Sequence, residues 1–143
     1  MKRDLTTCFN IRLAWHEISR MYQSYANEHE VSITLAYALL SFKKGELIKS
    51  TQIAPLLGME ASSLTRIIKT LENKKWIIKE VGKNDKREVY IKLTEEGAKK
   101  REVARRIVRK FNLEIRNNIP KSELEIFMRT LKTINNISKM SHK

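Results

Sequence analysis

The sequence predicts a mainly α-helical fold that contains one small β-hairpin, and three features of the chain lead to this prediction. Four glycines and two prolines occur among its 143 residues, so long helices meet few interruptions. Apolar residues recur at alternating spacings of three and four along most of the chain, which is typical of amphipathic helices. Between residues 77 and 93, the run Ile77-Ile78-Lys79-Glu80-Val81 and the alternating Val89, Ile91 and Leu93 lie on either side of a polar segment, and this pattern predicts two strands joined by a turn.

The first predicted helix covers residues 5–27 and has apolar residues on two sides. One continuous stripe is formed by Cys8, Ile11, Trp15, Ile18, Tyr22 and Tyr25. Phe9 and Leu13 lie on nearly the opposite side, and one domain of this size can hardly cover both sides. Residues 33–42 are apolar almost all round, which predicts a buried helix that supports the elements after it.

Residues 50–58 predict a short helix that ends at a glycine. Ser50 or Thr51 can cap its start, and Gly58 is the residue type that ends a helix in a left-handed turn. Its apolar residues are Ile53, Ala54, Leu56 and Leu57. Pro55 fits a helix without cost only near the first turn, so a start near Thr51 leaves it at the limit of that range.

A second helix is predicted from about Ala61, with one apolar and one polar face. The apolar face is formed by Leu64, Ile67, Ile68 and Leu71. The opposite face presents Ser62, Ser63, Thr65, Arg66, Lys69 and Asn73. Short hydroxyl side chains at a helix N-terminus, followed by arginine and lysine, suit a helix that approaches phosphates and base edges. An isolated pattern of this kind equally fits an ordinary amphipathic surface helix. The choice between a surface helix and a DNA-binding helix therefore depends on the elements before and after it.

A basic hairpin follows, with strands predicted at residues 77–81 and 89–93. Its tip carries three cations and one anion, namely Lys83, Lys86, Arg87 and Asp85. A charged tip is usually only a solvated loop. After two short helices joined by a turn, however, a protruding basic arm can place an arginine in the minor groove of DNA. The agreement of these cues favours a winged helix-turn-helix, with DNA contacts from the hairpin tip, from the polar helix face and from Thr51.

Two further helices are predicted after the hairpin. Thr94 can cap the first, and Pro120 precedes the second. Their apolar stripes comprise Val103, Ile107, Phe111, Ile115, Leu124, Phe127, Leu131, Ile134 and Ile137. These stripes lie far along the chain from the helix-turn-helix, and a second copy of the chain is the simplest partner for them.

The expected organisation is a single domain, residues 1–143, with a winged helix-turn-helix at residues 32–94. Residues 5–27 and 95–139 are then dimerisation helices. One recognition helix contacts only a few base pairs, whereas two related by a two-fold axis read half-sites about one helical turn apart. The expected partner is therefore a palindromic operator in double-stranded DNA, bound by a homodimer. The alternative is that the apolar stripes pack onto the core of one monomer.

The composition independently indicates a polyanionic partner. With 29 Lys plus Arg against 16 Asp plus Glu, the net charge is +13 and the isoelectric point about 10.0. This balance favours nucleic acid first and an anionic membrane surface second. No stretch has the apolar run of a signal peptide or a membrane span, so a cytoplasmic location is expected. Cations also crowd residues 99–110, and the three nearest the hairpin, residues 99–101, are placed to meet flanking phosphates.

Several motifs resemble the MarR family of bacterial transcriptional regulators. The segment Leu71–Ile77 leads into the hairpin, Asp-Lys-Arg at residues 85–87 forms its tip, and Leu-Thr-Glu-Glu-Gly at residues 93–97 follows it. The Asp-x-Arg tip and the Leu-Thr-x-x-Gly motif are the most specific of these marks. The resemblance implies that Arg87 enters the minor groove and that Asp85 helps to hold the wing. It also implies dimerisation through the N- and C-terminal helices.

The same resemblance implies a repressor that a small lipophilic or phenolic ligand releases from DNA. In the family such ligands bind in the cleft between the dimerisation helices and the winged domain. Trp15, Tyr22 and Tyr37 are the candidate walls of this pocket here, although aromatic residues at helical spacing more often belong to a core.

The segment Leu-Thr-Thr-Cys-Phe around Cys8 resembles the organic-hydroperoxide-sensing branch of the family, in which a single N-terminal cysteine is oxidised to release DNA. In that branch, tyrosines of the second subunit hydrogen-bond the thiolate. Tyr22 matches one such position by spacing, whereas the other falls at Ile33, which cannot donate a hydrogen bond. Cys8 therefore has two interpretations, a redox sensor assisted by Tyr22 or a small apolar residue of the core.

Metal, cofactor and catalytic chemistry are not expected. His16, His29 and His142 are scattered, and Cys8 lies about 12 Å along a helix from His16, too far for the two to share a metal ion. No nucleophile with a base, paired carboxylates or glycine-rich phosphate loop is recognisable, so the sequence predicts a DNA-binding regulator rather than an enzyme. A basic membrane-surface or protein-interaction module is a more distant alternative.

Overall fold

The computed structural model describes residues 6–29, 31–57 and 61–141 of the chain. Its helices are α1 (Thr7–His29), α2 (Ile33–Leu40), α3 (Ser50–Leu57), α4 (Ala61–Asn73), α5 (Glu95–Asn118) and α6 (Lys121–Met140). Its strands are β1 (Ile48–Lys49), β2 (Ile77–Val81) and β3 (Val89–Leu93). The prediction of a mainly helical fold with a small β-hairpin is confirmed. The chain groups into two compact units, Met1–Ile107 and Val108–Lys143.

The core of the first unit surrounds α2. Ser32 caps this helix, because its hydroxyl accepts a hydrogen bond from the Leu35 amide at 3.3 Å. The helix ends at Leu40 rather than at the expected Phe42, yet the Phe42 side chain is fully buried. The buried apolar side chains of this core are Val31, Leu35, Ala38, Leu39, Phe42, Ile53, Leu64, Ile67, Ile68, Leu71, Trp76, Ile77, Ile91 and Leu93.

The start of α3 differs from the prediction. Ser50 and Thr51 are already inside the helix, so the prediction that one of them caps it is wrong. Pro55 consequently lies in the helix interior rather than near its first turn. A proline there cannot donate to the carbonyl of Thr51, which removes one internal hydrogen bond and suits a helix that stops soon afterwards. Ile53 on the inner side is fully buried, and the predicted stop at Gly58 lies outside the described residues.

α4 ends in a left-handed turn at Lys75, whose φ is 57°. The Lys75 amide donates to the Glu72 carbonyl at 2.8 Å, and the Trp76 amide donates to the Leu71 carbonyl at 2.9 Å. These bonds satisfy the last carbonyls of the helix in a Schellman motif, in which lysine takes the position that glycine usually occupies. The turn returns Trp76 to the core, where its side chain is buried.

The hairpin belongs to a three-stranded antiparallel sheet with the order β1-β3-β2. β3 pairs with β2 along its length, beginning with Ile77 opposite Leu93. β1 pairs with the other edge of β3, with Ile48 opposite Ile91. The sequence does not predict β1, because a strand of two residues is too short to show an alternating pattern.

The first turn of α5 is fastened to the end of α4 at a contact that we call the Trp76 junction. The Thr94 hydroxyl accepts from the Gly97 amide at 3.0 Å, which confirms the predicted cap. The same hydroxyl donates to the Lys75 carbonyl at 2.7 Å, and the Thr94 amide donates to the Trp76 carbonyl at 3.0 Å. A Cβ on Gly97 would lie 1.8 Å from that Trp76 oxygen, so only glycine permits the approach.

The second unit contains the C-terminal part of α5 and all of α6. α6 follows Pro120, as predicted, and none of its residues is buried. Its exposed large apolar side chains are Ile126, Phe127, Met128, Ile137 and Met140. Among the described residues of both units, no helix is long and apolar enough to cross a membrane.

Replacement of Gly97 by alanine should destabilise the fold strongly, because the added methyl group overlaps a backbone oxygen that cannot rotate away. We expect a loss of about 2 to 3 kcal/mol in the free energy of unfolding, measured by urea denaturation. Arg106→Ala, at an exposed position of the same helix, is the control and should change this free energy by less than about 0.5 kcal/mol. An unchanged urea midpoint for Gly97→Ala would contradict the close packing at the Trp76 junction.

Candidate nucleic-acid interface

α4 turns its predicted polar face to solvent. Leu64, Ile67, Ile68 and Leu71 on the inner side are buried. The exposed residues of the outer side include Ser62, Ser63, Thr65, Arg66 and Lys69. Ser62, Arg66 and Lys69 lie within about 60° of one another around the helix axis, so they form the centre of this outer face. Thr51, from the same predicted set, is exposed in the first turn of α3.

The hairpin of β2 and β3 is the wing, and residues 82–88 between the two strands are its tip. The tip is a tight turn held by its own backbone and by Asp85. The Gly82 amide donates to the Glu88 carbonyl at 2.8 Å and closes the loop, and the Glu88 amide donates to the Asp85 carbonyl at 3.0 Å. The Asp85 carboxylate accepts from the Arg87 amide at 2.8 Å, so an aspartate fixes the backbone two residues further on. The cations of the tip are all exposed, namely Lys83, Lys86 and Arg87.

Among the residues that the structure describes, ion pairs neutralise lysines of the sheet but not the cations of the tip. The sheet pairs are Lys49 with Glu88, Lys79 with Glu72 and Lys92 with Glu80. The second of these pairs joins β2 to the end of α4, which ties the wing to the helix. Within the described ranges, no ion pair involves the cations on the outer face of α4 or at the tip, which are Arg66, Lys69, Lys83, Lys86 and Arg87. Their charge is therefore available to a polyanion.

Two cations near the start of α5 make contacts within the fold, a role that the sequence analysis did not assign to them. Lys100 donates from Nζ to the His29 carbonyl at the end of α1, at 3.3 Å, and lies 5.6 Å from the centre of the Trp76 ring. Arg101 donates from Nε to the Phe42 carbonyl just after α2. Sequence reasoning missed these roles, because carbonyl partners 71 and 59 residues away leave no local pattern.

The aromatic residues predicted to line a pocket form one cluster between α1 and α2. The ring centres of Trp15 and Tyr37 are 6.1 Å apart, and those of Tyr22 and Tyr37 are 6.5 Å apart in an edge-on arrangement. Burial raises the pKa of both Tyr22 and Tyr37, so both hydroxyls remain protonated at neutral pH and can donate hydrogen bonds. Trp15 is 50% exposed, which leaves one side of the cluster open.

Cys8 is exposed near the start of α1, so the interpretation as a core residue is wrong for the single chain. Tyr22 lies further along the same helix at a distance of about 21 Å, which excludes a hydrogen bond between the two within one chain. In the part of the chain that the structure describes, no group of three or more His, Cys, Asp or Glu residues can hold a metal ion. His142 lies outside that part.

Comparison with known proteins identifies the family. A family model described as transcriptional regulator SarA/Rot matches residues 20–103, which is more than half of the chain. The chain belongs to the SarA/Rot family of transcriptional regulators. A curated relative, the HTH-type transcriptional regulator SarZ of Staphylococcus aureus strain USA300, is 27% identical over 90 residues, or 63% of this chain. The match spans 61% of the length of SarZ.

Solved structures share the winged-helix fold of this SarA/Rot chain. Staphylococcus aureus MepR in a DNA complex has a TM-score of 0.83 at 19% identity, with 92% of this chain and 98% of MepR covered. A mutant of E. coli MarR complexed with operator DNA has a TM-score of 0.76 at 24% identity, with 87% and 89% covered. PcaV of Streptomyces coelicolor, in complex with its natural ligand, has a TM-score of 0.81 at 12% identity, with 96% and 97% covered. The resemblance to the MarR family and the predicted winged-helix fold are confirmed.

Proposed function

We propose that this SarA/Rot chain is a sequence-specific regulator that binds a palindromic double-stranded DNA operator as a homodimer and acts by binding rather than by catalysis. The observation that carries the proposal is the set of exposed cations on the outer face of α4 and at the wing tip, which form no ion pair with any residue that the structure describes. The Lys79–Glu72 pair and the Trp76 junction attach both surfaces to one core. MepR and MarR, which are similar in fold, have been solved with DNA.

In this proposal α4 enters the major groove. Ser62 and Ser63 in its first turn are short enough to let the helix approach phosphates and base edges. Arg66, one turn later, has the planar fork that can donate two hydrogen bonds to O6 and N7 of a guanine. Thr65 and Lys69 flank it, and Thr51 on α3 supplies a contact to the DNA backbone, which fixes the register without specifying sequence.

The wing then lies over the neighbouring minor groove. Arg87 is the residue proposed to enter it, because a narrow A·T-rich minor groove has an enhanced negative potential that attracts arginine. Lys83 and Lys86 are proposed to contact flanking phosphates, and Asp85 holds the turn through the Arg87 amide. Recognition is thereby divided between base reading by α4 and reading of groove shape by the wing.

A second copy of the chain is proposed to cover the apolar surfaces that stay exposed in one chain. On α1 these include Ile11, Leu13 and Trp15, which are 38%, 48% and 50% exposed, and α6 has no buried residue at all. Removal of such surface from water favours association by about 25 cal/mol per Å². Residues 5–27 and 95–139 are therefore proposed as dimerisation helices, with residues 32–94 as the DNA-binding region. Two recognition helices on one duplex combine their affinities.

The regulator is further proposed to be a repressor that a small lipophilic or phenolic ligand releases from DNA. The cluster of Trp15, Tyr22 and Tyr37 supports this, because it offers apolar rings together with protonated hydroxyls. α2, which carries Tyr37, also packs against α4. A ligand that shifts Tyr37 is therefore proposed to shift α4, the recognition helix, through α2. PcaV, which has a similar fold, was solved with its natural ligand.

A thiol sensor is the second candidate, because Cys8 is exposed. Attack of its thiolate on an organic hydroperoxide breaks the O–O bond, forms a sulfenic acid on sulfur and releases the alcohol. A tyrosine hydrogen bond to this sulfur would have to come from the second chain, as Tyr22 of the same chain is about 21 Å away. Cumene hydroperoxide should release DNA from the parent chain but not from Cys8→Ser. Release that persists in Cys8→Ser would eliminate the thiol mechanism.

Arg87→Ala should weaken operator binding by at least about tenfold and relax the preference for A·T-rich flanks. The operator is first selected from random duplexes with the parent chain, and affinities are then measured by fluorescence anisotropy at about 0.15 M salt. Arg106→Ala, which removes an exposed cation from α5, is the control and should change affinity for all sequences by about twofold or less. Equal losses from both variants would contradict a specific role of Arg87 in the minor groove.

Phe127→Glu should convert the dimer to a monomer, because Phe127 is 55% exposed in one chain and is proposed to be covered by the second. Sedimentation equilibrium should give twice the chain mass of 16.8 kDa for the parent and the single mass for the variant. Lys132→Glu, an exposed polar position of α6, changes the charge more and should remain dimeric. A dimeric Phe127→Glu with an unchanged association constant would remove α6 from the interface.

A further inference from the structure

Glu88, the residue after Arg87, has a carboxylate that two strands hold. Lys49 of β1 pairs with its Oε1, and Tyr90 of β3 donates from its hydroxyl to Oε2 at 2.8 Å. The hydrogen bond from Lys49 lowers the pKa of Glu88, and the bond to Glu88 raises the pKa of both Lys49 and Tyr90. All three groups therefore keep their hydrogen-bonding forms at neutral pH.

The backbone of Glu88 also closes the wing loop. Its carbonyl accepts from the Gly82 amide, and its amide donates to the Asp85 carbonyl. A Cβ on Gly82 would lie 2.6 Å from the Asp85 carbonyl oxygen, so the loop leaves no room for a side chain there. The backbone of Arg87 thus lies between two hydrogen-bonded residues, because Asp85 accepts from its amide and Glu88 follows it directly.

Lys49 connects this loop to the helix-turn-helix, because the next residue, Ser50, begins α3. The Lys49–Glu88 pair therefore links the wing tip to the residue that precedes α3. A carboxylate is otherwise unfavourable on a surface that meets a polyanion, because it repels phosphates. The four contacts of Glu88, two to its side chain and two from its backbone, indicate that its role is geometric.

We propose that Glu88 is a positioning residue of the wing, which fixes the direction of Arg87 through its bonds to Lys49 and Tyr90. This inference rests on the proposed DNA-binding function and specifies how the minor-groove contact is oriented. A wing tip that is preorganised in the free protein loses less conformational entropy on DNA binding than a flexible tip, so the same contacts give a higher affinity.

The chain offers a matched control in Lys92–Glu80, another ion pair of the same sheet. Its side chains are 36% and 41% exposed, against 36% and 31% for Lys49–Glu88. Glu80 joins β2 to β3, whereas Glu88 joins the tip to β1. A general loss of sheet stability would follow from removal of either carboxylate, but a positioning effect would follow only from removal of Glu88.

The test compares Glu88→Ala with Glu80→Ala, each alone and combined with Arg87→Ala, by anisotropy on the selected operator. We expect Glu88→Ala to weaken binding about tenfold and Glu80→Ala to change it by about twofold or less. In the Arg87→Ala background, Glu88→Ala should change affinity by less than about twofold, because the residue that it positions is gone. If the carboxylate acted only through its charge, its removal would strengthen binding.

Hydrogen exchange without DNA gives an independent readout. The amides of Gly82 and Arg87 should exchange faster in Glu88→Ala but not in Glu80→Ala, because only the former loosens the tip. Should Glu88→Ala fail to fold, Lys49→Met breaks the same link and is expected to weaken operator binding, whereas Lys49→Arg should restore it.

Unchanged or tighter operator binding by Glu88→Ala would overturn the positioning role. The positioning role would also be overturned if the affinity of the double variant fell by the product of the losses caused by Glu88→Ala and Arg87→Ala alone. Unchanged hydrogen exchange of the Gly82 amide in Glu88→Ala would overturn it as well. A parent chain that enriches no operator from random duplexes would instead overturn the proposed function, and the exchange experiment would then still decide whether Glu88 holds the wing.

Discussion

The close approach of the Trp76 backbone to the first turn of α5 is the constraint on which the rest of this structure depends. It requires a residue without a side chain at Gly97, and it gives Thr94 hydrogen bonds to both Lys75 and Trp76. Because Trp76 follows directly on the left-handed Lys75, the same contact fixes where α4 ends, where β2 begins and where α5 starts. The ammonium groups of Lys74 and Lys100 lie 5.0 and 5.6 Å from the centre of the Trp76 ring, and these cation–π contacts are favourable. The Leu-Thr-x-x-Gly motif at residues 93–97 is thus explained by its contact with the Trp76 backbone.

The fold divides the positive charge of the chain between structure and recognition. Lys49, Lys79 and Lys92 pair with carboxylates and join neighbouring elements of the winged region. Lys100 and Arg101 donate to carbonyls near the C-terminal ends of α1 and α2, where the helix dipole favours a cation. The cations on the outer face of α4 and at the wing tip form no ion pair with the described residues, and in the proposed function they contact DNA. A net charge of +13 alone indicates only a polyanion, whereas this division indicates which surface meets it.

The elements with a long periodic pattern were predictable, and those set by tertiary contacts were not. The helices, the hairpin and the Thr94 cap follow from apolar spacing and turn chemistry, which act over a few residues. β1 exists only because β3 offers it an edge, and the left-handed Lys75 is imposed by packing on a residue that does not favour it. The sequence leaves Pro55 at the limit of the range that the first turn tolerates, whereas α3 begins at Ser50 and has Pro55 in its interior. At the wing, exposure of the tip cations follows from the sequence, while the bonds of Glu88 to β1 do not, because their partner lies 39 residues away.

The proposed DNA complex has one geometry, in which α4 lies in a major groove and Arg87 in the adjacent minor groove. Methylation protection on a selected operator tests it directly, because dimethyl sulfate reacts with guanine N7 in the major groove and adenine N3 in the minor groove. We expect protected guanines in two half-sites about one helical turn apart, with protected adenines beside them. We also expect Arg87→Ala to lose the adenine protection and to keep the guanine protection. Guanine and adenine protections that disappear together, or a footprint without two-fold symmetry, would contradict it.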